Sequence, residues 1–245
     1  MTTVYLHGGG DNAAARTMTF GVIAEALLAG RGPLLLVAAG IEASVELTYY
    51  HDLFTTLGAP TERLAQLAVS RAEPLTADSL AAHEPSGVFV CGGQTVVYHE
   101  ALCADLSWVD YLRQRAVPYA GTSAGAVVAA AQAIIGGWQA TADGAPRPIL
   151  FSGAGEGFDA LTVRPGAGLV PFAVDAHAGQ MGTLTRAVHV VRAGYAAEAW
   201  AVDEDTVLAV EPARRRIFGR GYAYRVLQVG KGRVVVKAWA APAEN

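Results

Sequence analysis

Along the first half of the chain, short runs of apolar, often β-branched residues alternate with longer segments whose apolar positions recur every three to four residues. Val4 to Leu6, Leu34 to Ala38 and Val88 to Cys91 read as buried strands, and Arg16 to Ala29 and Ala43 to Leu57 as helices. Val96 to Arg115 keeps the helical spacing and is followed by a strand-like Val117-Pro118-Tyr119. Alternation of this kind predicts a mostly parallel sheet with helices on both faces, because parallel strands need crossover connections. The C-terminal part breaks the pattern. Arg225 to Val229 and Arg233 to Lys237 flank Gly230-Lys231-Gly232, which predicts an antiparallel hairpin and a mixed edge to the sheet.

Composition narrows the picture. With 245 residues, 52% of them hydrophobic, and a mean hydropathy of +0.30, the chain can bury a large core, and no linker-like stretch divides 1–245 into more than one expected domain. The net charge is −4, and of the 18 basic residues only Lys231 and Lys237 are lysines. No single-sign region suggests nucleic acid or an anionic membrane as partner. Arg214-Arg215-Arg216 beside Pro212 reads as a solvated turn. Two cysteines, Cys91 and Cys103, make no disulfide framework and no metal motif, so neither a metal nor a cofactor is expected. The first residues lack a basic segment ahead of an apolar one, and the apolar run from Ala126 to Gly137 is shorter than the roughly 20 residues of a membrane span. A cytoplasmic location is the resulting expectation.

The chemistry concentrates in Gly121-Thr122-Ser123-Ala124-Gly125. A serine between two glycines, entered from a strand and left by an Ala/Val-rich helical stretch, is the pattern of a nucleophile elbow, in which a tight turn pushes the hydroxyl out of the backbone. The same turn sets Ser123 at a helix N-terminus, where N–H groups can stabilise an oxyanion. A base must then follow. His177 lies where a short strand gives way to a glycine-containing loop, whereas His189 sits inside the apolar segment Leu184 to Val191, so context favours His177. Asp203-Glu204-Asp205, after the strand-like Ala199-Trp200-Ala201, forms the pool for the acid that orients the base. His7-Gly8-Gly9-Gly10 and Gly92-Gly93-Gln94-Thr95 are each either a second oxyanion donor or a plain tight turn.

The ordered set Cys91-Gly92-Gly93-Gln94-Thr95, Gly121-Thr122-Ser123-Ala124-Gly125-Ala126, Gly157-Phe158-Asp159-Ala160-Leu161, Val174-Asp175-Ala176-His177 and Val202-Asp203-Glu204-Asp205-Thr206 resembles the dipeptidase E / cyanophycinase family of serine peptidases. The resemblance implies a three-layer α/β/α fold similar to class I glutamine amidotransferases. It implies Ser123 as nucleophile, His177 as base and Glu204 as third member of the triad, with Asp205 in the same loop as the alternative third member. It also implies oxyanion N–H groups from Gly93 and Ala124 and a pocket lined by Gln94.

Departures from the family bear on substrate. Cyanophycinases carry D-Q-H-F-S-Q-R-G-R-L-G-R, and here Asp175 to Arg186 keeps only the last of the three arginines. Losing them argues against a polyaspartate substrate, since arginines there would grip its carboxylates. Dipeptidase E has asparagines where this chain has Asp175 and Gln94. Short peptides therefore remain the expected substrate, with Gln94, Asp175 and Arg186 at the binding site, and Arg186 or Arg164 as partner for an acidic first residue. Two other readings stay open, together with a homodimer: an α/β-hydrolase-type esterase, which His7-Gly8-Gly9-Gly10 imitates, and a silent binding protein on the same scaffold. Chain order disfavours the esterase, because that fold places the acid before the histidine.

Overall fold

The computed structural model describes residues 2–142 and 144–242. In chain order the elements are β1 (Val4–His7), α1 (Val22–Leu27), β2 (Leu34–Ala39), α2 (Ala43–Thr56), β3 (Leu64–Val69), α3 (Ala77–His83), β4 (Gly87–Val90), α4 (Thr95–Leu102), α5 (Ser107–Arg115), β5 (Tyr119–Thr122) and α6 (Ala124–Val128). They continue with β6 (Ala130–Gly136), β7 (Gln139–Ala142), β8 (Ala145–Pro148), β9 (Thr162–Pro165), β10 (Val170–Asp175), α7 (Leu184–Arg192), β11 (Glu198–Val202), β12 (Thr206–Val210), β13 (Arg215–Gly219), β14 (Tyr222–Gly230) and β15 (Arg233–Ala240).

The strands form an α/β sandwich with two large sheets. The first runs β13-β12-β1-β5-β4-β2-β3, parallel from β1 through β5, β4 and β2 to β3, with an antiparallel edge made by β12 and β13. Every residue of β1, β2 and β4 is buried, as strands covered on both faces require. The second sheet, β15-β14-β11-β10-β6-β9, has a parallel centre and antiparallel flanks. The C-terminal hairpin forms as expected, but as the margin of this second sheet and not as the edge of a single one.

Helices α1 and α2 pack on the first sheet, α7 packs on the second, and α4 and α6 touch strands of both. Strand periodicity divides the core accordingly. Val170, Phe172 and Val174 of β10 face the large apolar cluster around the first sheet, while Ala173 between them joins a smaller cluster with Ala187, Val190 and Val191 of α7.

Several elements differ from the expected ones for identifiable reasons. The segment from Arg16 begins as a π-helical turn over Thr17–Gly21, where Thr19 Oγ1 donates back to Ala15 O, and turns α-helical only afterwards. The spacing from Val96 to Arg115 spans two helices; Asp105 accepts from Ser107 N–H at the start of α5, and Leu102 and Trp108 both bury, which carries the apolar period across the break. The Ala/Val-rich stretch after Ser123 is helical for five residues only, and then continues as β6.

Candidate active site

Ser123 lies between β5 and α6 with φ +50° and ψ −113°, a region that side chains rarely occupy. Glycines make the turn feasible. A Cβ on Gly121 would lie 2.4 Å from the carbonyl carbon of Gly125, and one on Gly125 would lie 2.4 Å from Val90 O. The Ser123 N–H donates to His7 O at 3.0 Å, which ties the elbow to the end of β1.

The strand β10 ends at Asp175, and two residues later His177 takes φ +56°. Its backbone N–H donates to Gly8 O at 2.9 Å. That conformation aims the ring at the elbow: His177 Nε2 is 2.8 Å from Ser123 Oγ, and His177 Nδ1 is 2.8 Å from Glu204 Oε1. Serine, imidazole and carboxylate thus form one continuous hydrogen-bonded chain, with the histidine and glutamate side chains only 19% and 28% exposed.

The three acids after β11 take separate parts. Glu204 meets the histidine, and its N–H donates to Gln180 Oε1 at 2.9 Å. Asp205, at φ +55°, accepts from Asn12 N–H at 2.9 Å and gives its own N–H to Gly9 O. Asp203 is buried and accepts the N–H groups of Gly179 at 2.8 Å and Tyr222 at 3.0 Å, binding the loop after His177 to β14. His189 stands apart on α7, in a different cavity with Arg192 and Tyr195, and burial followed by the Arg192 charge lowers its pKa.

His7-Gly8-Gly9-Gly10 turns out to be a cradle. A Cβ on Gly9 would sit 2.1 Å from His177 Cε1, and one on Gly10 would sit 2.7 Å from Glu204 Cβ. Both glycines have positive φ, +93° and +77°. Neither reading of this run from the sequence included such a role, and the HGGG spelling alone could not reveal it. His7 itself is fully buried. Its Nδ1 accepts from Thr122 Oγ1 at 2.8 Å and from Gly9 N–H at 3.3 Å, so the proton is assigned to Nε2. Burial, with a smaller push from His177, lowers the His7 pKa to about 3 and keeps it neutral.

A cavity of about 220 Å³ opens beside Ser123 and His177, lined further by Thr95, Glu156, Asp175, Met181 and Arg186. Arg186 donates to both carboxylate oxygens of Asp175 at 2.7 Å and to Ala154 O at 2.9 Å. Burial disfavours its charge, but the charge and hydrogen bonds of Asp175 outweigh that and hold the Arg186 pKa above its ordinary value. Arg186 is therefore a member of a closed internal pair. Gln94 lies elsewhere: it is exposed, precedes α4, and borders a neighbouring cavity with Gly92, Gly93, Glu42 and Glu46. Gly92 links the two, since a Cβ there would be 3.4 Å from that of Ser123. Gly93 has φ +150°, and Ala124 is the first residue of α6. Arg164 is on β9 and does not line the Ser123 cavity.

Among the described residues no group of three His, Cys, Asp or Glu side chains could hold a metal ion, and no described helix is long and apolar enough to cross a membrane. Cys91 and Cys103 are free thiols.

No family model matches the chain, and no curated protein sequence does. Solved structures are similar in fold. A peptidase from an acI-B1 actinobacterium superposes with a TM-score of 0.66 over 99% of this chain and 96% of its own, at 14% identity. A protein from Listeria monocytogenes EGD-e assigned as a peptidase E gives a TM-score of 0.51 over 89% of this chain and 98% of its own, also at 14% identity.

Proposed function

We propose that the protein is a serine peptidase of the peptidase E type that hydrolyses short peptides through Ser123, His177 and Glu204. The observation that carries this reading is the unbroken chain from Ser123 Oγ through both nitrogens of His177 to Glu204 Oε1, each step 2.8 Å, built on a serine at positive φ. The fold shared with two peptidases adds to it, although fold alone hosts many functions.

In this reading Ser123 Oγ attacks the scissile carbonyl carbon while His177 Nε2 takes its proton, and Glu204 holds the ring in the Nδ1–H form and stabilises the imidazolium. The amides of Ala124 and Gly93 receive the developing oxyanion, and His177 returns the proton to the leaving amine. Water, activated by the same histidine, then cleaves the acyl-enzyme. The residues 1–245 act as one peptidase domain, because Ser123 comes from the first sheet while His177 and Glu204 follow strands of the second. An acidic first residue loses its intended partner, since Arg186 is already paired with Asp175 and Arg164 is outside the cavity. Glutamate at position 204 is preferred to Asp205 as the third member on the same geometry.

A fluorophosphonate probe tests the reading. Wild type is expected to be labelled at Ser123 and Ser123→Ala to be unlabelled, folded, and slower on peptides by about three orders of magnitude or more. Near-normal turnover by folded Ser123→Ala protein would end the proposal, and an unlabelled wild type would favour a silent binding protein.

A further inference from the structure

The run Arg214-Arg215-Arg216, which reads from the sequence as a solvated turn, enters β13 at Arg215, and Arg215 and Arg216 line a cavity that the triad does not use. This cavity, of about 620 Å³, lies between β13 of the first sheet and β11, β14 and β15 of the second, and it shares no lining residue with the cavity at Ser123. Strand register assembles its aromatic wall. Trp200 of β11 lies opposite Arg225 of β14, which lies opposite Lys237 of β15, so these three and Trp239, two residues beyond Lys237, share one face of the sheet. The Trp200 and Trp239 rings stack there with centroids 5.4 Å apart, and Trp239 is 40% exposed.

The charge around this cavity is unbalanced. Arg215, Arg216 and Arg225 line it, and no acidic side chain among the described residues does. Glu198 is shared by Arg215 and Arg225, and Glu211 by Arg214 and Arg216, so four arginines meet two carboxylates. Glu198 is already committed, accepting from Arg225 at 2.8 and 3.0 Å and from Trp200 Nε1 at 2.7 Å. Arg215 is left over. Its ion pair with Glu198 is 3.6 Å long, beyond hydrogen-bond distance, and it makes no side-chain hydrogen bond among the described residues. Its guanidinium carbon sits 5.3 Å from the centre of the Phe172 ring and 5.5 Å from that of Trp200. Stacking on the rings holds the guanidinium in place while its N–H donors stay unspent.

We propose that this cleft binds a small aromatic carboxylate, whose ring stacks on Trp239 while its carboxylate takes the unspent donors of Arg215. The volume falls within the roughly 300–1,000 Å³ of small-molecule sites, and an apolar wall with a few fixed donors is the composition such sites use. A carboxylate pairs with two guanidinium N–H groups at once, whereas an uncharged aromatic compound would cover the same donors and leave them unpaired. A second copy of this chain fits less well. In a two-fold contact the same arginines would face one another, and their surplus positive charge would repel. The proposal does not depend on the peptidase reading.

Calorimetric titration with benzoate, benzyl alcohol and acetate tests it on wild type and on Arg215→Gln, Trp239→Ala and Arg192→Gln. Wild type is expected to bind benzoate with a Kd of about 1 mM or below, and to bind the other two, which lack the charge or the ring, at least about tenfold more weakly. Arg215 and Trp239 are both part-exposed, so their variants should stay folded by thermal unfolding and each weaken benzoate by about tenfold or more. Arg192 belongs to the cavity with His189, so Arg192→Gln should bind benzoate as wild type does, which locates the ligand. A wild-type Kd for benzoate weaker than about 10 mM, or equal affinity for benzyl alcohol, overturns the proposal. Wild-type affinity in either folded Arg215→Gln or folded Trp239→Ala protein overturns it as well. So does a loss in Arg192→Gln equal to that in Arg215→Gln, because attraction to any arginine would then account for the binding.

Discussion

Gly121 and Gly125 make room for backbone, whereas Gly9 and Gly10 make room for side chains. The two turns follow neighbouring parallel strands, β5 and β1, and both put glycine where a Cβ would collide. At the elbow the obstacles are Gly125 C and Val90 O, parts of the sheet and helix that cannot step aside. After β1 they are the imidazole of His177 and the Cβ of Glu204, which can move, but only out of their hydrogen-bonded chain with Ser123. One turn therefore protects the fold, and the other protects the alignment of His177 and Glu204 with Ser123. A methyl group added to each should break different things.

The largest effect is expected at the elbow. Gly121→Ala should cost about 3 kcal/mol or more of stability, because the clash is with the main chain of Gly125 and Ala126 in a buried turn. Urea unfolding followed by circular dichroism reads it, and a stability loss under about 1 kcal/mol would show that the elbow has slack the geometry denies.

Gly9→Ala should separate function from folding. The φ of +93° costs a side chain about 1–3 kcal/mol, which a domain of this size can absorb, but the new Cβ would displace the His177 ring from its 2.8 Å contact with Ser123 Oγ. A displacement near 1 Å is enough to lower kcat about 100-fold. Gly10→Ala sharpens the comparison by pressing on Glu204 instead, with a contact of 2.7 Å. Peptide turnover and thermal unfolding measured on the same samples check it. A folded Gly9→Ala protein with wild-type kcat would mean that the first turn only closes a loop.

The same contrast explains what was legible in the sequence. The elbow is local, since its glycines, its serine and the strand before it lie within seven residues, and the spacing alone specifies the turn. Strand ends pointed to Ser123, His177 and the run Asp203-Glu204-Asp205, and the choice of Glu204 within that run came from the family resemblance. The cradle could not, because Gly9 and Gly10 acquire meaning only from residues about 170 to 195 positions later in the chain: Glu204, brought alongside by the antiparallel pairing of β1 with β12, and His177, tied to Gly8 O by its N–H. The partner of Arg186 was hidden for a related reason. Its spacing from His177 allowed a substrate contact, but helix α7 turns it inward onto Asp175, a partner on β10 that sequence spacing does not distinguish from a ligand. Elements without a clear apolar period, such as β3, whose residues are mostly half-buried, and the short β7–β8 pair, were not legible either.

The last predicted effect is a slope with pH and not a loss at fixed pH, and it lies in His7, the residue that precedes the cradle. Its folded-state pKa of about 3 is below the 6.5 of an unperturbed histidine, so the unfolded chain binds a proton between those values and the folded one does not. Stability from this neutral, buried ring is therefore complete above pH 6.5 and declines as pH falls toward 3, by up to about 1.4 kcal/mol per pH unit. His7→Gln removes the titration while keeping a polar side chain beside Thr122. The variant should be less stable than wild type at pH 7, because Thr122 and Gly9 lose their well-placed acceptor, yet its stability should fall less steeply between pH 6.5 and pH 4. Urea midpoints taken at one-unit intervals over that range give both slopes. Parallel slopes would mean that His7 is not held neutral by its burial.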